Sequence, residues 1–278
     1  MIRVERGHDA ALIVFVVDDE GAAIDADALP TVTFTEWDGT VIATAVESSR
    51  LAEGEYRAVM PAVDRLTLID VVWVIAVDGL ARPQTEQVEI VAGFYFDIAT
   101  LRAKPGMEST DRYPFAELVN AREWAQDLVE RECATSFLER FHIDRVTVAT
   151  CSRIGVEFPW LRSLVSADVD GVAVDGTPQI GGRTISGDWP AGLATIAYTS
   201  AFETEVPRDL HDALVTAARY HLMATIGASG IPDRTRSQSN ADGTIVLSVA
   251  GEKAPTGLPE VDVVISGYAR RSRYPMMA

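Results

Sequence analysis

The residues that most often carry chemistry are few in this sequence, and their spacing is poor. His211 and His221 fall on one predicted helix, but ten positions separate them, which places them more than two helical turns apart. A pair of metal-binding histidines on a helix needs about one turn between its members. We therefore predict that neither histidine is a ligand, with His211 exposed and His221 half-packed.

Two acidic segments could in principle hold a cation. The segment DVDGVAVDG (168–176) brings its first glycine at the fourth position, whereas a calcium loop of the EF-hand type needs glycine at the sixth. We interpret it as a turn between strands. The segment DDEGAAIDAD (18–27) is open to two interpretations, a cation-binding loop or a solvated acidic loop, and the second is the simpler one.

Other catalytic and metal-binding patterns are missing from the sequence. Cys133 and Cys151 cannot complete a four-ligand zinc site, and Ser152 has no histidine at a recognisable spacing. No phosphate-binding glycine loop, nucleophile elbow or HExxH motif occurs. We predict no catalytic residue, no metal and no cofactor, and hence a protein that is not an enzyme. An unrecognised hydrolase, with catalytic groups far apart in sequence, remains the alternative.

The charge distribution argues against tight binding of nucleic acid. The formal net charge is −17, and residues 1–94 hold 17 acidic against 6 basic side chains. Such a chain repels phosphates rather than neutralising them. No run of 18 apolar residues predicts a membrane span, and the first residues lack a signal-peptide pattern. We therefore expect a protein that is made and folded in a cytoplasm.

The sequence pattern of residues 1–93 predicts an all-β domain. Asp38-Gly39 predicts a two-residue hairpin turn, and Asp78-Gly79 also joins two strand-like runs. Trp73 lies on the same face of its strand as other apolar residues, which predicts a core position. We predict an immunoglobulin-like β-sandwich. Its expected strands cover 11–17, 31–37, 40–46, 55–60, 66–77 and 83–91.

The sequence pattern of residues 94–278 predicts an α+β domain that is mainly helical, with a small sheet. Long helices are predicted at 115–135 and 207–227, with a short final helix at 257–271. Asp97 is a candidate N-cap for a short helix before them. Strands are predicted at 141–150, 161–169, 172–176 and 193–199, with 187–192 as a turn-rich link.

A polar arm, residues 230–256, separates the predicted helix at 207–227 from the short final helix at 257–271. It contains Pro232, the turn Asn240–Gly243 and a strand-like run, 244–249, with no obvious partner strand in the sequence. Because an unpaired strand edge is a liability in solution, we expect this strand to add to the sheet of a neighbouring copy. The alternative is an ordinary hairpin within the subunit.

Several segments resemble the head-to-tail adaptor (connector) proteins of long-tailed phages that infect actinobacteria. They are GFYFDIATLRA before a helix with AREWAQDLVER, then LRSLVSADVDGVAV, and above all IPDRTRSQSNADGT followed by PEVDVVISGYARR. The resemblance covers about 94–273. The N-terminal sandwich is similar to an immunoglobulin-type extension that some members carry.

The resemblance implies a structural virion protein at the head–tail interface, assembled in the host cytoplasm. Members of that family form a ring, commonly of twelve copies, beneath the portal protein. The ring extends the DNA channel, through which DNA passes without tight binding, and receives a downstream connector, stopper or tail protein. Family members use no cofactor and catalyse nothing. The alternative function is a binding module that recognises a surface or a carbohydrate through the sandwich.

The expected contact residues lie in the arm and in the cationic C-terminal tail, residues 270–278. The arm would meet a neighbouring copy or the channel, and the tail would dock on the portal, where arginine and tyrosine make good anchors. The alternative for the tail is that its arginines only stabilise the C-terminal end of the last helix. The candidates are Arg234, Arg236, Ile245, Leu247, Val249, Arg270, Arg271, Arg273 and Tyr274.

Overall fold

The computed structural model describes residues 1–226, 237–240, 243–246 and 255–272, with side chains described for 1–226 and 255–270. The chain divides into two compact units. The first unit is 1–93 together with the short segments 140–143 and 197–199, and the second contains the remaining residues. Of the described residues, 42% lie in strands and 22% in helices.

Unit 1 consists of two sheets around one apolar core. The larger sheet has the order β1-β8-β7-β3-β4 and the smaller has the order β2-β6-β5. β1 is parallel to β8, and the other pairs are antiparallel. Its strands are β1 (Ile2–Glu5), β2 (Ala10–Phe15), β3 (Thr31–Glu36), β4 (Val41–Glu47), β5 (Ser49–Ala52), β6 (Glu55–Met60), β7 (Thr67–Val77) and β8 (Leu80–Val91). β1 and β5 were not predicted.

β7 is the central strand of the core. Its buried residues alternate with outward-facing ones, as the period of two along a strand requires. Trp73 is 1% exposed, which confirms its predicted core position. Its indole Nε1–H donates to Glu86 Oε1 on β8 at 2.9 Å, so the polar group of a buried ring is satisfied.

The two aspartate–glycine turns differ in kind. Asp78 and Gly79 have φ of 54° and 73°, and both therefore occupy the left-handed region that a two-residue turn of type I′ needs. At the other turn the two-residue prediction is wrong. Gly39 N–H donates to Glu36 O, and Glu36 N–H donates to Thr40 O, so the loop has three residues. Only Gly39 has a positive φ there, as a three-residue turn requires.

The helices of unit 2 share one apolar core. They are α1 (Ile98–Arg102), α2 (Phe115–Cys133), α3 (Arg208–Thr225) and α4 (Pro259–Ser272). Leu118 on α2, Leu214 on α3 and Ile265 on α4 are buried in it. Asp97 occupies the N-cap position of α1 as predicted, but its side chain makes no capping hydrogen bond. None of the described helices is long and apolar enough to cross a membrane.

The prediction that residues 94–278 form a mainly helical connector domain after an immunoglobulin-like one is wrong. Seven strands lie between α2 and α3, in sheets of order β12-β11-β15-β9 and β10-β14-β13, and the described chain is mostly β. The strands are β9 (Arg140–Val148), β10 (Cys151–Gly155), β11 (Leu161–Val169), β12 (Val172–Ala173), β13 (Gly176–Pro178), β14 (Thr184–Trp189) and β15 (Gly192–Ser200).

The missed strands explain this error. β10 and β14 were not predicted, and part of β14 was interpreted as a turn-rich link because it contains glycine and aspartate. Gly187 is in that strand because of close packing: a Cβ there would lie 2.7 Å from the carbonyl oxygen of Asp175. Glycine in a strand can mark such a close approach of two backbones instead of a turn.

Candidate interaction site

The arm between α3 and α4 returns to the helical core at a fixed point. Asp262 in the first turn of α4 accepts hydrogen bonds from Thr256, from the amide N–H at 2.9 Å and from the hydroxyl at 2.7 Å. The Thr256 hydroxyl oxygen in turn accepts the Leu258 N–H at 3.0 Å. Thr256 and Asp262 are both buried. The helix N-terminus favours the carboxylate at this position.

Within the arm, two short strands form a hairpin. β16 (Ser237–Asn240) pairs antiparallel with β17 (Gly243–Val246) across a two-residue loop. The strand at 243–246 therefore pairs within its own chain, as the hairpin alternative proposed. The two strands form a separate sheet: in the described part of the chain, neither belongs to any of the other sheets.

The register fixes which backbone groups of this hairpin point outward. Asn240 and Gly243 close a two-residue loop, and such a closing pair exchanges both main-chain hydrogen bonds. The next pair, Ser239 and Thr244, therefore directs its N–H and C=O groups away from the hairpin. The N–H and C=O groups of this pair thus point outward at both edges of the small sheet.

The described residues include only some of the predicted contact positions. Ile245 lies in β17, and Arg270 and Arg271 lie in the last turn of α4. Arg270 Nε donates to the Ser266 carbonyl, four residues earlier in the helix, at 3.2 Å. The side chains of Ile245 and Arg271 are not described. Arg234, Arg236, Leu247, Val249, Arg273 and Tyr274 lie outside the described residues.

The two helical histidines take part in packing and in local hydrogen bonding. His221 stacks on Trp124 with ring centroids 4.1 Å apart. His211 was predicted to be exposed but is half-buried, with its ring edge-on to Phe96. Its Nδ1 lies 3.0 Å from Asp212 Oδ1, and this hydrogen bond lowers the pKa of Asp212. Within the described ranges, no three His, Cys, Asp or Glu residues are grouped as metal ligands.

The outward side chains of β2 in unit 1 are apolar, although Arg57 and Glu55 on β6 lie opposite Ile13 and Phe15, and sequence reasoning missed this apolar strand. Ile13 and Phe15 on β2 are 41% and 63% exposed, and Val59 on β6 is 45% exposed. The outward positions of β3 in the larger sheet are threonines instead. The signal was present in AALIVFVV (10–17), where polar residues fail to alternate with apolar ones on a strand with one solvated face.

Comparisons with known proteins add little to this geometry. No family model matches the sequence, and no curated protein matches it. Among solved structures, part of the chain is similar to the ZIG-8–RIG-5 IG1–IG1 heterodimer, an immunoglobulin-type neighbour, at 10% identity and a TM-score of 0.22. The match covers 32% of this chain and 80% of that chain. A likeness this weak carries no argument about fold or function.

Proposed function

We propose that this chain is a structural virion protein that forms an oligomeric ring between the portal and the tail or the next connector, and so extends the DNA channel. The observation that carries the proposal is the separate hairpin β16–β17. It lies in the segment IPDRTRSQSNADGT, where the resemblance to phage connectors is most specific.

A two-stranded hairpin by itself is marginally stable in water. Its outward donors and acceptors gain most when another strand pairs with them. In a ring, each copy offers this edge to the next copy, and a repeated head-to-tail contact closes when the rotation between copies allows it. An arm of this design therefore suits a ring-forming protein.

The attachment of the arm supports the same function. α3 ends at Thr225, and the chain is fixed again at Thr256 through its two hydrogen bonds to Asp262. Both ends of the arm thus belong to elements of one helical core. Because both of its ends are held, the arm would lose less conformational entropy when it joins a partner.

The overall charge fits a channel that DNA traverses. A net charge of −17 gives little phosphate neutralisation, so DNA would slide past the wall without being held. The cationic residues Arg270, Arg271 and Arg273 would then contact the portal together with Tyr274. Removing residues 270–278 should abolish binding to purified portal while the helical signal in circular dichroism persists. Unchanged portal binding would contradict this part of the proposal.

The ring itself is tested with two substitutions at one position of β17. Thr244→Pro removes an outward-facing N–H without removing a hydrogen bond inside the hairpin, whereas Thr244→Ala keeps that N–H. Light scattering and electron microscopy should show rings for the wild type and for Thr244→Ala, and smaller species for Thr244→Pro. A protein that stays monomeric with and without portal, or a Thr244→Pro variant that assembles like wild type, would overturn the proposal.

A further inference from the structure

β2 is an edge strand whose outward backbone groups and outward side chains belong to the same residues. It borders the smaller sheet of unit 1, and within the described residues its one partner strand is β6. Val16 N–H donates to Gly54 O at 2.8 Å, in register with the β2–β6 ladder. The even-numbered residues therefore bond to β6, and Ala11, Ile13 and Phe15 direct their N–H and C=O groups to the free edge.

This edge lacks the usual protection against pairing. Residues 10–17 contain no charged side chain, no proline and no glycine. The acids on either side are engaged locally. Asp9 accepts the Ala62 N–H at 2.8 Å, and Asp18 accepts the N–H groups of Glu20 and Ala22 at 2.9 and 2.8 Å. These carboxylates are held by nearby backbone groups, and no charged side chain lies between them on the strand.

We propose that β2 pairs antiparallel with β2 of a second copy of this chain, across a two-fold axis at Ile13. In this register Ile13 lies opposite itself, and Ala11 lies opposite Phe15. All of these residues direct their main-chain groups to the free edge, so each copy's donors meet the other copy's acceptors. The two small sheets then join into one sheet of six strands.

The side chains of the pair favour a second copy as the occupant. The small Ala11 opposite the large Phe15 allows close packing on the outer face, and Leu12 opposite Val14 extends the core side. Val59 on β6, 45% exposed, lies opposite Ala11 on the same face, whereas Arg57 and Glu55 lie opposite Ile13 and Phe15. The contact is isologous and closed, because two-fold pairing leaves no free β2 edge.

Charge predicts how the dimer responds to salt. Residues 1–94 carry 17 acidic against 6 basic side chains, so two copies that meet through this unit repel each other at long range. Salt screens repulsion between exposed charges and leaves the apolar contact intact. The dimer fraction should therefore rise with ionic strength.

This two-fold contact goes beyond the proposed ring and uses a different strand. The ring contact requires the N–H of Thr244 in β17, whereas the dimer requires Ile13 in β2. Thr244→Pro should therefore leave β2 pairing intact even if it abolishes rings. Failure of one contact is distinguishable from failure of the other.

Engineered cysteines test the register in the full chain. In a Cys151→Ser background, a short bifunctional thiol reagent should cross-link Ile13→Cys between copies, because a hydrogen-bonded pair places its Cβ atoms about 5.5 Å apart, just beyond the reach of a disulfide. A non-reducing gel should then show a band at about twice 30.1 kDa. Ala11→Cys mixed with Phe15→Cys should cross-link, whereas Ala11→Cys alone should not. The control is Val74→Cys, which is 46% exposed on the other sheet and should stay uncoupled.

A substitution without cysteine gives a second measurement. Ile13→Lys places a charge at the two-fold axis and should eliminate the salt-dependent dimer in analytical ultracentrifugation, whereas Val74→Lys should keep it. The proposal is overturned if Ile13→Cys does not cross-link, or if Val74→Cys cross-links equally well. It is also overturned if Ile13→Lys leaves the sedimenting mass of the dimer unchanged.

Discussion

The carboxylate of Asp262 accepts both the amide N–H and the hydroxyl of Thr256, at 2.9 and 2.7 Å. Asp262 lies six positions after Thr256 in sequence, and both are buried. Through these bonds the first turn of α4 holds the chain where it returns from the arm. The arrangement stabilises the base from which the hairpin β16–β17 extends.

Loss of the Asp262 carboxylate should destabilise unit 2. Asp262→Ala leaves the Thr256 amide N–H without an acceptor, while the Thr256 hydroxyl keeps only the Leu258 carbonyl at 3.5 Å. We expect the free energy of unfolding in urea to fall by about 1–3 kcal/mol, the cost of one unsatisfied group. Val263→Ala, at a neighbouring position that is 72% exposed, should change it by less than about 0.5 kcal/mol. Equal effects of the two changes would contradict the assigned role.

Trp73 should dominate the stability of the unit 1 core. Trp73→Ala removes a fully buried ring and should lower the free energy of unfolding by about 3–5 kcal/mol. Trp73→Phe keeps most of the ring but leaves Glu86 without the indole donor, so a smaller loss is expected. The outward-facing Val74→Ala is the control. Chemical denaturation measures all three, and a Trp73→Ala loss no larger than the control's would contradict the packing.

Two glycines with positive φ should respond differently to a methyl group. Gly79 has open space around its missing Cβ, so Gly79→Ala meets only the backbone strain, about 1–2 kcal/mol. At Gly54 a Cβ would lie 2.6 Å from Val16 O, so Gly54→Ala adds a clash with rigid backbone. We expect it to cost about 1–3 kcal/mol more in thermal or urea unfolding. The reverse order would disprove this close approach.

His142 should make the stability depend on pH. Its burial, and secondly the nearby Arg140 guanidinium, lowers the pKa of His142 from 6.5 to about 3. The folded chain therefore keeps the ring neutral where the unfolded chain protonates it. This contribution is complete above pH 6.5 and is lost as the pH falls from there towards 3. At pH 5 the loss is about 2 kcal/mol.

The pH effect is measured as the difference in unfolding free energy between pH 7.5 and pH 5. His142→Gln cannot titrate and should reduce that difference, whatever it does to stability at either pH. His8→Gln, at an exposed position, should keep the wild-type difference. If His142→Gln retains the full difference, other groups are responsible.

The local sequence was sufficient to predict elements whose residue types favour one backbone conformation. The alternation of apolar residues in β7 predicted both the strand and the burial of Trp73, because side chains alternate across a strand. Asp78-Gly79 produced a tight hairpin because both residues tolerate the left-handed region. Helices α2 and α3 followed from their apolar periodicity.

The same local rules failed where distant backbones decided the outcome. Gly187 and Asp188 look like turn residues, yet they belong to β14 because Gly187 lies against Asp175 of a neighbouring segment. The sequence alone likewise left two partners open for the predicted strand at 244–249, which the structure places at 243–246. The structure pairs it with β16 and leaves both edges of the hairpin outside the other described sheets.

By itself, the sequence determined the strand-rich first unit, the main helices, the acidic charge and the position of the arm, since each depends on residues close together in the chain. Only the tertiary structure decided that β10, β13 and β14 form a second sheet in the region between α2 and α3, and that β2 is an edge. Those facts depend on hydrogen bonds between residues far apart in sequence. The run AALIVFVV shows in the sequence that β2 carries apolar residues on both faces, but no local pattern indicates which strands pair, so its position at the edge of a sheet was known only from the structure.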